Sequence, residues 1–470
     1  MKFNKKLAVA VSGAVLLMAG QIALADSTTD IVDALVSKGV LTEEEGKLIT
    51  KGAQSKAKAD EKANKSRISV GSFIDNATMY GDIRARYERR DGDVLNSNAA
   101  STGIAGKNLD FNRSRYKITL GIETKSGDMY SDLAFVMGDN GRSDNTTFGD
   151  TAKGAYDKTK SALYVKRAMF GYNVTDWLAV EAGRMKNPLY MVNAMVFDHD
   201  IVFDGVQEKL KYKLGETNLF ANIGQYVYSG SNVGSNNGGN TTTSRQNMML
   251  AFQAGAEQAF VADKLSAKAA VGYYNYTANS GGAATYVPTT LNNKGGSANY
   301  GVNDLAILDI PAEVNYMVSS NIGVRPYAEY AYNTNGSDRQ RAAGVAGSND
   351  DTAWLVGLTV GSAKDFKAFT GKKLAKNDWS ANLWYQEVGT YALDQNSVDS
   401  DIFDGRLNMK GTILKAQYMV EDNFALNFTG GWGSRKNSQY GTTAPKVDIG
   451  DNTTSIDDYT LYQFDATYKF

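Results

Sequence analysis

From residue 78 onward the chain repeats one pattern: apolar and polar side chains alternate, then break at clusters of Gly, Asn, Asp, Ser and Thr. Period-two alternation puts successive side chains on opposite faces of a strand. It predicts strands at 78–89, 111–124, 128–138, 161–174, 177–186, 204–214, 217–228, 247–261, 264–277, 304–318, 321–333, 352–363, 377–389, 408–420, 423–435 and 457–470. Links after even-numbered segments are very short, as at Ser126-Gly127, Thr175-Asp176, Gly215-Glu216, Ala262-Asp263, Ser319-Ser320 and Glu421-Asp422. Links after odd-numbered segments are long and polar, as from Ser229 to Gln246. One link breaks the rule: Asp365 to Lys376 is longer than its place allows, either a long turn or a misplaced strand boundary. Short turns on one side and long loops on the other are what a closed membrane barrel requires. The expected fold is therefore all-β, a transmembrane antiparallel β-barrel of about 16 strands. An even count puts both termini on the turn side, the periplasm.

The last strand is the sharpest local signal. Tyr462, Phe464, Ala466, Tyr468 and Phe470 share one face, and Gln463, Asp465, Thr467 and Lys469 the other. Aromatics facing lipid and ending in Phe resemble the signal read by the outer-membrane assembly machinery, which makes Tyr462, Phe464, Tyr468 and Phe470 candidate assembly residues.

The first 75 residues read differently. Lys2, Lys5 and Lys6 precede an apolar run from Leu7 to Met18 and the small-x-small triplet Ala23-Leu24-Ala25. That is the layout of a secretory signal peptide, residues 1–25. Residues 26–75 read as a short periplasmic helical segment and tether, with Ile31, Leu35 and Val36 at helical spacing and Thr42 and Glu45 as a capping box. The barrel then spans 76–470. Mean hydropathy is negative, which a barrel tolerates because only alternate residues meet lipid.

Composition removes several functions. There is no cysteine, so disulfides, thiol catalysis and thioether-linked haem are excluded. Without the signal peptide the 50 basic residues fall to 47 against 51 acidic ones, no footprint for nucleic acid. The one histidine, His199, has no identifiable nucleophile arrangement beside it, and no enzyme, cofactor or metal is expected.

The run Ala182-Gly183-Arg184-Met185-Lys186-Asn187-Pro188-Leu189-Tyr190, with Val196-Phe197-Asp198 and Phe203-Asp204-Gly205-Val206, resembles the proteobacterial putative porin family. Lys38-Gly39-Val40-Leu41-Thr42 and Gly411-Thr412-Ile413-Leu414-Lys415-Ala416-Gln417-Tyr418 are similar to it as well. The resemblance implies an outer-membrane porin, often trimeric at this size, without fixing a solute.

Alternation also nominates the lining. With Met79, Ile83 and Tyr87 facing lipid, Asp82, Arg84, Arg86 and Glu88 must face inward. With Tyr116, Ile118 and Leu120 outside, Arg113, Arg115 and Lys117 are inside. Arg167 joins them, but Lys166 then faces lipid unless it lies at an interface or a bulge shifts the register. These cations form a basic wall that either guides solutes or merely solvates the lumen beside Asp82, Glu88, Glu123 and Asp132. The link 187–203 is too apolar for an external loop, with Leu189, Tyr190, Met191, Val192, Met195, Val196 and Phe197. It is expected to fold into the barrel and set Asp198, His199, Asp200 and Asp204 across from the basic wall. A subunit-contact loop or simple surface packing is the alternative, and a cation such as Ca²⁺ held by the aspartates a weaker one.

The reading is a water-filled channel for passive diffusion of small hydrophilic solutes or ions, in contact with outer-membrane lipid and lipopolysaccharide. The alternative is a non-transporting structural or adhesion barrel.

Overall fold

The structure is a computed structural model. It describes residues 42–45, 47, 74–94, 109–138, 143–149, 161–229, 247–277, 305–342, 350–437 and 456–470. The chain divides into two units, Met1–Ile68 and Ser69–Phe470. In the first, residues 43–45 are helical and the expected capping box is formed. The Glu45 backbone N–H donates to Thr42 Oγ1 at 3.3 Å, and the Thr42 N–H donates to Glu45 Oε2 at 2.9 Å. The signal peptide, most of the helical segment and the long links lie outside the described residues.

The second unit is one antiparallel sheet closed on itself. Its strands are β1 (Asn76–Val94), β2 (Leu109–Ser126), β3 (Met129–Met137), β4 (Thr146–Thr147), β5 (Leu163–Thr175), β6 (Leu178–Lys186), β7 (Val202–Leu214), β8 (Thr217–Ser229) and β9 (Asn247–Val261). They continue as β10 (Leu265–Tyr276), β11 (Ala306–Met317), β12 (Ile322–Asn333), β13 (Thr352–Ser362), β14 (Trp379–Val388), β15 (Met409–Glu421), β16 (Phe424–Arg435) and β17 (Ile456–Lys469). Sixteen cross the barrel. The two-residue β4 lies along β2, opposite Arg115 and Tyr116. Each long strand pairs with its sequence neighbour, and β17 pairs with β1 to close the ring, Asp82 opposite Lys469 and Arg90 opposite Leu461.

The alternation read from the sequence is the alternation seen. Met79, Ile83, Tyr87, Leu120, Phe170 and Phe464 are exposed on the outer face. Arg86, Glu88, Arg90 and Arg115 are buried on the inner one. A charge on the lipid face at mid-depth would cost about 2–4 kcal/mol for Arg or Lys, so this sorting fixes the register. The link that broke the loop rule is a long turn, not a boundary error. It contains a short helix, α1 (Phe366–Thr370), capped by Asp365, whose side chain accepts from the Ala368 N–H at 2.7 Å. Phe369 packs at the turn end on Gly323, where a Cβ would lie 2.6 Å from its ring.

Lys166 is explained by the bulge. Ala134 stands opposite Arg167 but Phe135 stands opposite Val165, so Lys166 is the extra residue and both cations point inward.

Candidate functional site

The inward faces of β1, β2, β5 and β17 bring the expected cations together. Lys117 is opposite Arg84 and Arg115 opposite Arg86. Like charges in direct opposition repel, and here every one has an acidic or carbonyl partner. Arg86 grips Asp465 with two parallel bonds of 2.7 and 2.8 Å and donates to Asp401 at 2.7 Å. Arg113 donates to Glu88. Arg115 donates to Ser143 Oγ at 2.9 Å and to the Asn145 carbonyl at 3.2 Å. Lys117 lies 3.8 Å from Asp82 and 3.9 Å from Asp144. Arg167 donates to Asp132 at 2.7 Å and also contacts Tyr80. Arg84 bonds Asn145 at 2.5 Å and has only a 3.9 Å contact with Asp465. The wall is a lattice of both signs rather than a bare positive ladder.

The segment 187–203 folds into the barrel. Leu189, Val192, Met195, Val196 and Phe197 are buried, and they pack on the inward side chains Tyr226, Met249, Tyr274 and Tyr327 of β8, β9, β10 and β12. Phe197 meets Tyr274 edge-on with ring centres 5.1 Å apart. Removing each such side chain from water is worth about 1.5–3 kcal/mol. Polar contacts set the height of the loop. The Tyr190 N–H donates to Gln253 Oε1 at 2.7 Å, Gln253 returns a bond to the Tyr190 carbonyl at 3.0 Å, and Asn193 donates to the Tyr327 hydroxyl at 3.3 Å. Gly183, where the chain approaches this loop, has φ +118° and a Cβ there would lie 2.3 Å from the Ala168 carbonyl. Only glycine fits that step of the motif.

A second loop, 389–408, enters the same lumen and was not anticipated. Tyr391, Leu393, Ile402, Phe403 and Leu407 are buried in the same apolar cluster. Phe403, Asp404 and Gly405 have positive φ in succession, +49°, +61° and +65°. That conformation is costly for the first two. It drives Phe403 onto a glycine floor, where a Cβ on Gly433 or Gly411 would come within 2.3 or 2.8 Å of its ring. It also turns Asp404 into an ion pair with Arg90, a cation the sequence reading did not single out.

The two loops meet. The Asp198 N–H donates to the Ser397 carbonyl at 2.6 Å, and Ser400 donates to Asp198 Oδ2 from its backbone at 3.1 Å and its hydroxyl at 3.2 Å. Burial, then the charges of Asp399 and Asp200, push the Asp198 carboxyl up to about 7. Burial also opposes ionisation of Asp200, but Lys166, Lys117 and Arg84 outweigh it and hold that carboxyl below its ordinary range. Asp401 is held well below its range in the same way, burial being overcome by Arg86, Arg84 and Arg90.

Three expectations need correction. Asp198 borders a cavity with Arg84 but is bonded to the second loop instead of the basic wall, and it latches one loop to the other. Asp204 is not in the loop at all. It stands in β7 opposite Arg184, in an ion pair of 2.7 Å, on the face shared with outward Val206 and with half its side chain exposed. The acids that meet Arg86 and Arg90 come from the second loop, as Asp401 and Asp404. Asp200 does reach the wall, 3.6 Å from Lys166.

Open space remains between the loops and the wall. One cavity of about 370 Å³ is bordered by Arg84, Asp198, His199, Asp399, Lys415 and Asp465, with His199 exposed. Another of about 640 Å³ is bordered by Glu123, Asp132, Glu181, Lys186 and Lys209. Among the described residues no group of three or more His, Cys, Asp or Glu side chains is arranged to hold a metal. The aromatics Tyr462, Phe464, Tyr468 and Phe470 lie exposed on the outer face.

A family described as putative porin matches residues 69–300, the stretch that holds the run from Ala182 to Tyr190. No curated protein matches the chain. Among solved structures, it is similar to the outer membrane channel DcaP of Acinetobacter baumannii, at 13% identity over 84% of this chain and 97% of that one, with a TM-score of 0.38. It is similar to OprB of Pseudomonas putida, at 11% identity over 84% and 94%, TM-score 0.46. It is also similar to OpdK of Pseudomonas aeruginosa, solved with vanillate, at 11% identity over 85% and 100%, TM-score 0.42.

Proposed function

We propose that this chain is an outer-membrane porin through which small hydrophilic solutes or ions diffuse passively. The observation that carries it is the closed sixteen-strand barrel whose charged cavities lie between a lattice of Arg and Lys and two inserted loops. Opposed charges across a narrow aqueous passage order water and sort solutes by charge and dipole. Arg84, Lys117 and Lys415, with Asp200 and Asp399, are the groups we assign to that task. Arg86, Arg90 and Arg115 are buried and act as anchors instead. In this reading the short turns and both termini are periplasmic, the long loops face outward beside lipopolysaccharide, the C-terminal aromatics address the assembly machinery, and the barrel works as a homotrimer.

The second reading, a non-transporting barrel, draws on one observation: the two loops fill one side of the lumen with apolar side chains. Planar-bilayer recording separates them. A porin gives discrete conductance steps, and deleting residues 189–200 enlarges them. A folded protein that gives no steps, with or without the deletion, removes the channel. Replacing Arg84 and Lys415 together by Gln is expected to shift the reversal potential in a salt gradient towards cations; an unchanged potential takes these residues out of the selectivity.

A further inference from the structure

Asp309 in β11 and Glu329 in β12 point into the barrel and are 0% and 2% exposed. Glu329 stands opposite Pro311, two residues from Asp309, so the carboxyls are diagonal neighbours on one face. The Tyr274 hydroxyl donates to Asp309 Oδ2 at 3.0 Å. No bond of normal geometry reaches Asp309 Oδ1 or either carboxylate oxygen of Glu329, although the Asn193 backbone N–H of the inserted loop faces Glu329.

No cation neutralises them among the described residues. The groups around them are Tyr274 on β10, Gln253 on β9, Leu355 opposite Glu329 on β13, Tyr327 on β12, and Tyr190 and Asn193 on the loop. Arg325 is nearest along β12 and is committed to Glu313 at 3.2 Å and Thr359 at 3.0 Å. Tyr274 has one hydroxyl proton, already spent on Asp309. Gln253 spends its two amide protons on the Tyr190 carbonyl and the Tyr274 oxygen, the latter at 3.2 Å. These side chains leave no donor for the three remaining carboxylate oxygens. Two ionised carboxylates side by side in a dry site, without a counter-charge, do not persist; sharing a proton is the ordinary resolution.

We propose that Asp309 and Glu329 share one proton and that this proton seats the inserted loop. It completes a chain from Tyr190 through Gln253, Tyr274, Asp309 and Glu329 to Asn193, whose two ends lie in the same loop. Loss of the proton in alkaline solution sets two like charges beneath Asn193 and loosens the seat, so the passage responds to pH.

The test has two arms. Infrared spectra of the purified wild type at neutral pH, minus those of Asp309→Asn/Glu329→Gln, are expected to show a protonated-carboxyl stretch. Single-channel recordings are expected to show open-channel noise that rises on moving to alkaline pH in the wild type and stays flat in Glu329→Gln, which carries a permanent donor. Asp198, its carboxyl raised to about 7, also titrates here, so both arms are run with every protein, the reference included, carrying Asp198→Asn. A missing carboxyl band overturns the shared proton, including the case where a metal cation occupies the pair. Equal alkaline responses in wild type and Glu329→Gln overturn the seating role. If the double variant does not fold, loss of the wild-type band on alkaline titration replaces it, and a band that persists there overturns the pH response. The infrared arm is independent of conduction, so failure of the porin reading is distinguishable from failure of this one.

Discussion

The two loops that enter the barrel are held by different physics. Loop 187–203 is seated by apolar contact: Leu189, Val196 and Phe197 cover inward tyrosines of the wall from β8 to β12. Loop 389–408 also buries Phe403 and Leu407, but its position is set by charge, with Asp401 and Asp404 locked to Arg86 and Arg90 of β1. One loop is placed by shape and the other by complementarity to a row of cations. The basic wall is therefore partly structural: its innermost members hold a loop and are not free to meet a solute.

Breaking each seat in its own currency tests this contrast. Phe197→Ala removes a fully buried ring and is expected to cost about 3–5 kcal/mol in urea unfolding of the folded barrel. Arg90→Met strips buried Asp404 of its close ion-pair partner, leaving Arg406 at 3.8 Å, while Glu88 keeps Arg113, and is expected to cost a similar amount, about 3–5 kcal/mol. The two separate on a second substitution. Asp404→Asn should recover part of the Arg90→Met loss, because it removes the stranded charge, and should recover none of the Phe197→Ala loss. Equal recovery would erase the distinction between the seats. A smaller effect is expected at the glycine floor. Gly433→Ala puts a Cβ against Phe403 and should cost about 1–3 kcal/mol, with loop 389–408 more open to proteolysis and loop 187–203 unchanged.

The smallest expected effect concerns the latch. Asp198 has its carboxyl raised to about 7 when the loops are joined, against about 3.9 for a free aspartate. The sign follows: the latch is fully stabilised below about pH 4 and loses that contribution as pH rises through 7. Spin labels placed one on each loop should show a broader distance distribution at neutral pH than in acid in the wild type, and the same distribution at both in Asp198→Asn. A wild-type distribution that narrows from acid to neutral pH would reverse the assignment.

Much of the fold was legible because the membrane enforces a strict rule on each strand. Even the bulge at Lys166 announced itself as a conflict between two faces. Loop 187–203 was legible because its apolar residues are consecutive. Loop 389–408 holds a comparable set in Tyr391, Leu393, Val398, Ile402, Phe403 and Leu407, but Asp394, Asp399, Asp401 and Asp404 are interleaved with them. Those acids break up the apolar run, and the cation that buries Asp404 lies 314 positions away in the sequence. Asp204 was misplaced for the converse reason: it follows directly on the link 187–203 and was grouped with that link's acids, while it lies in β7 with its partner Arg184 on the adjoining strand.

The seam deserves a last consequence, because it governs how the chain can fold at all. The Phe470 N–H donates to the Gly81 carbonyl at 3.1 Å, the Phe470 carbonyl accepts from the Gly81 N–H at 2.9 Å, and its ring lies 2.6 Å from where a Cβ on Gly81 would be. Phe470 thus mates with the first strand. No ring can close until β17 has formed, and until then β1 is an unsatisfied edge waiting on a strand more than 360 residues away. Such long-range pairing is slow, and open edges invite the wrong neighbour. Loss of β17 would leave a sheet with ends, prone to pair with other copies rather than with itself.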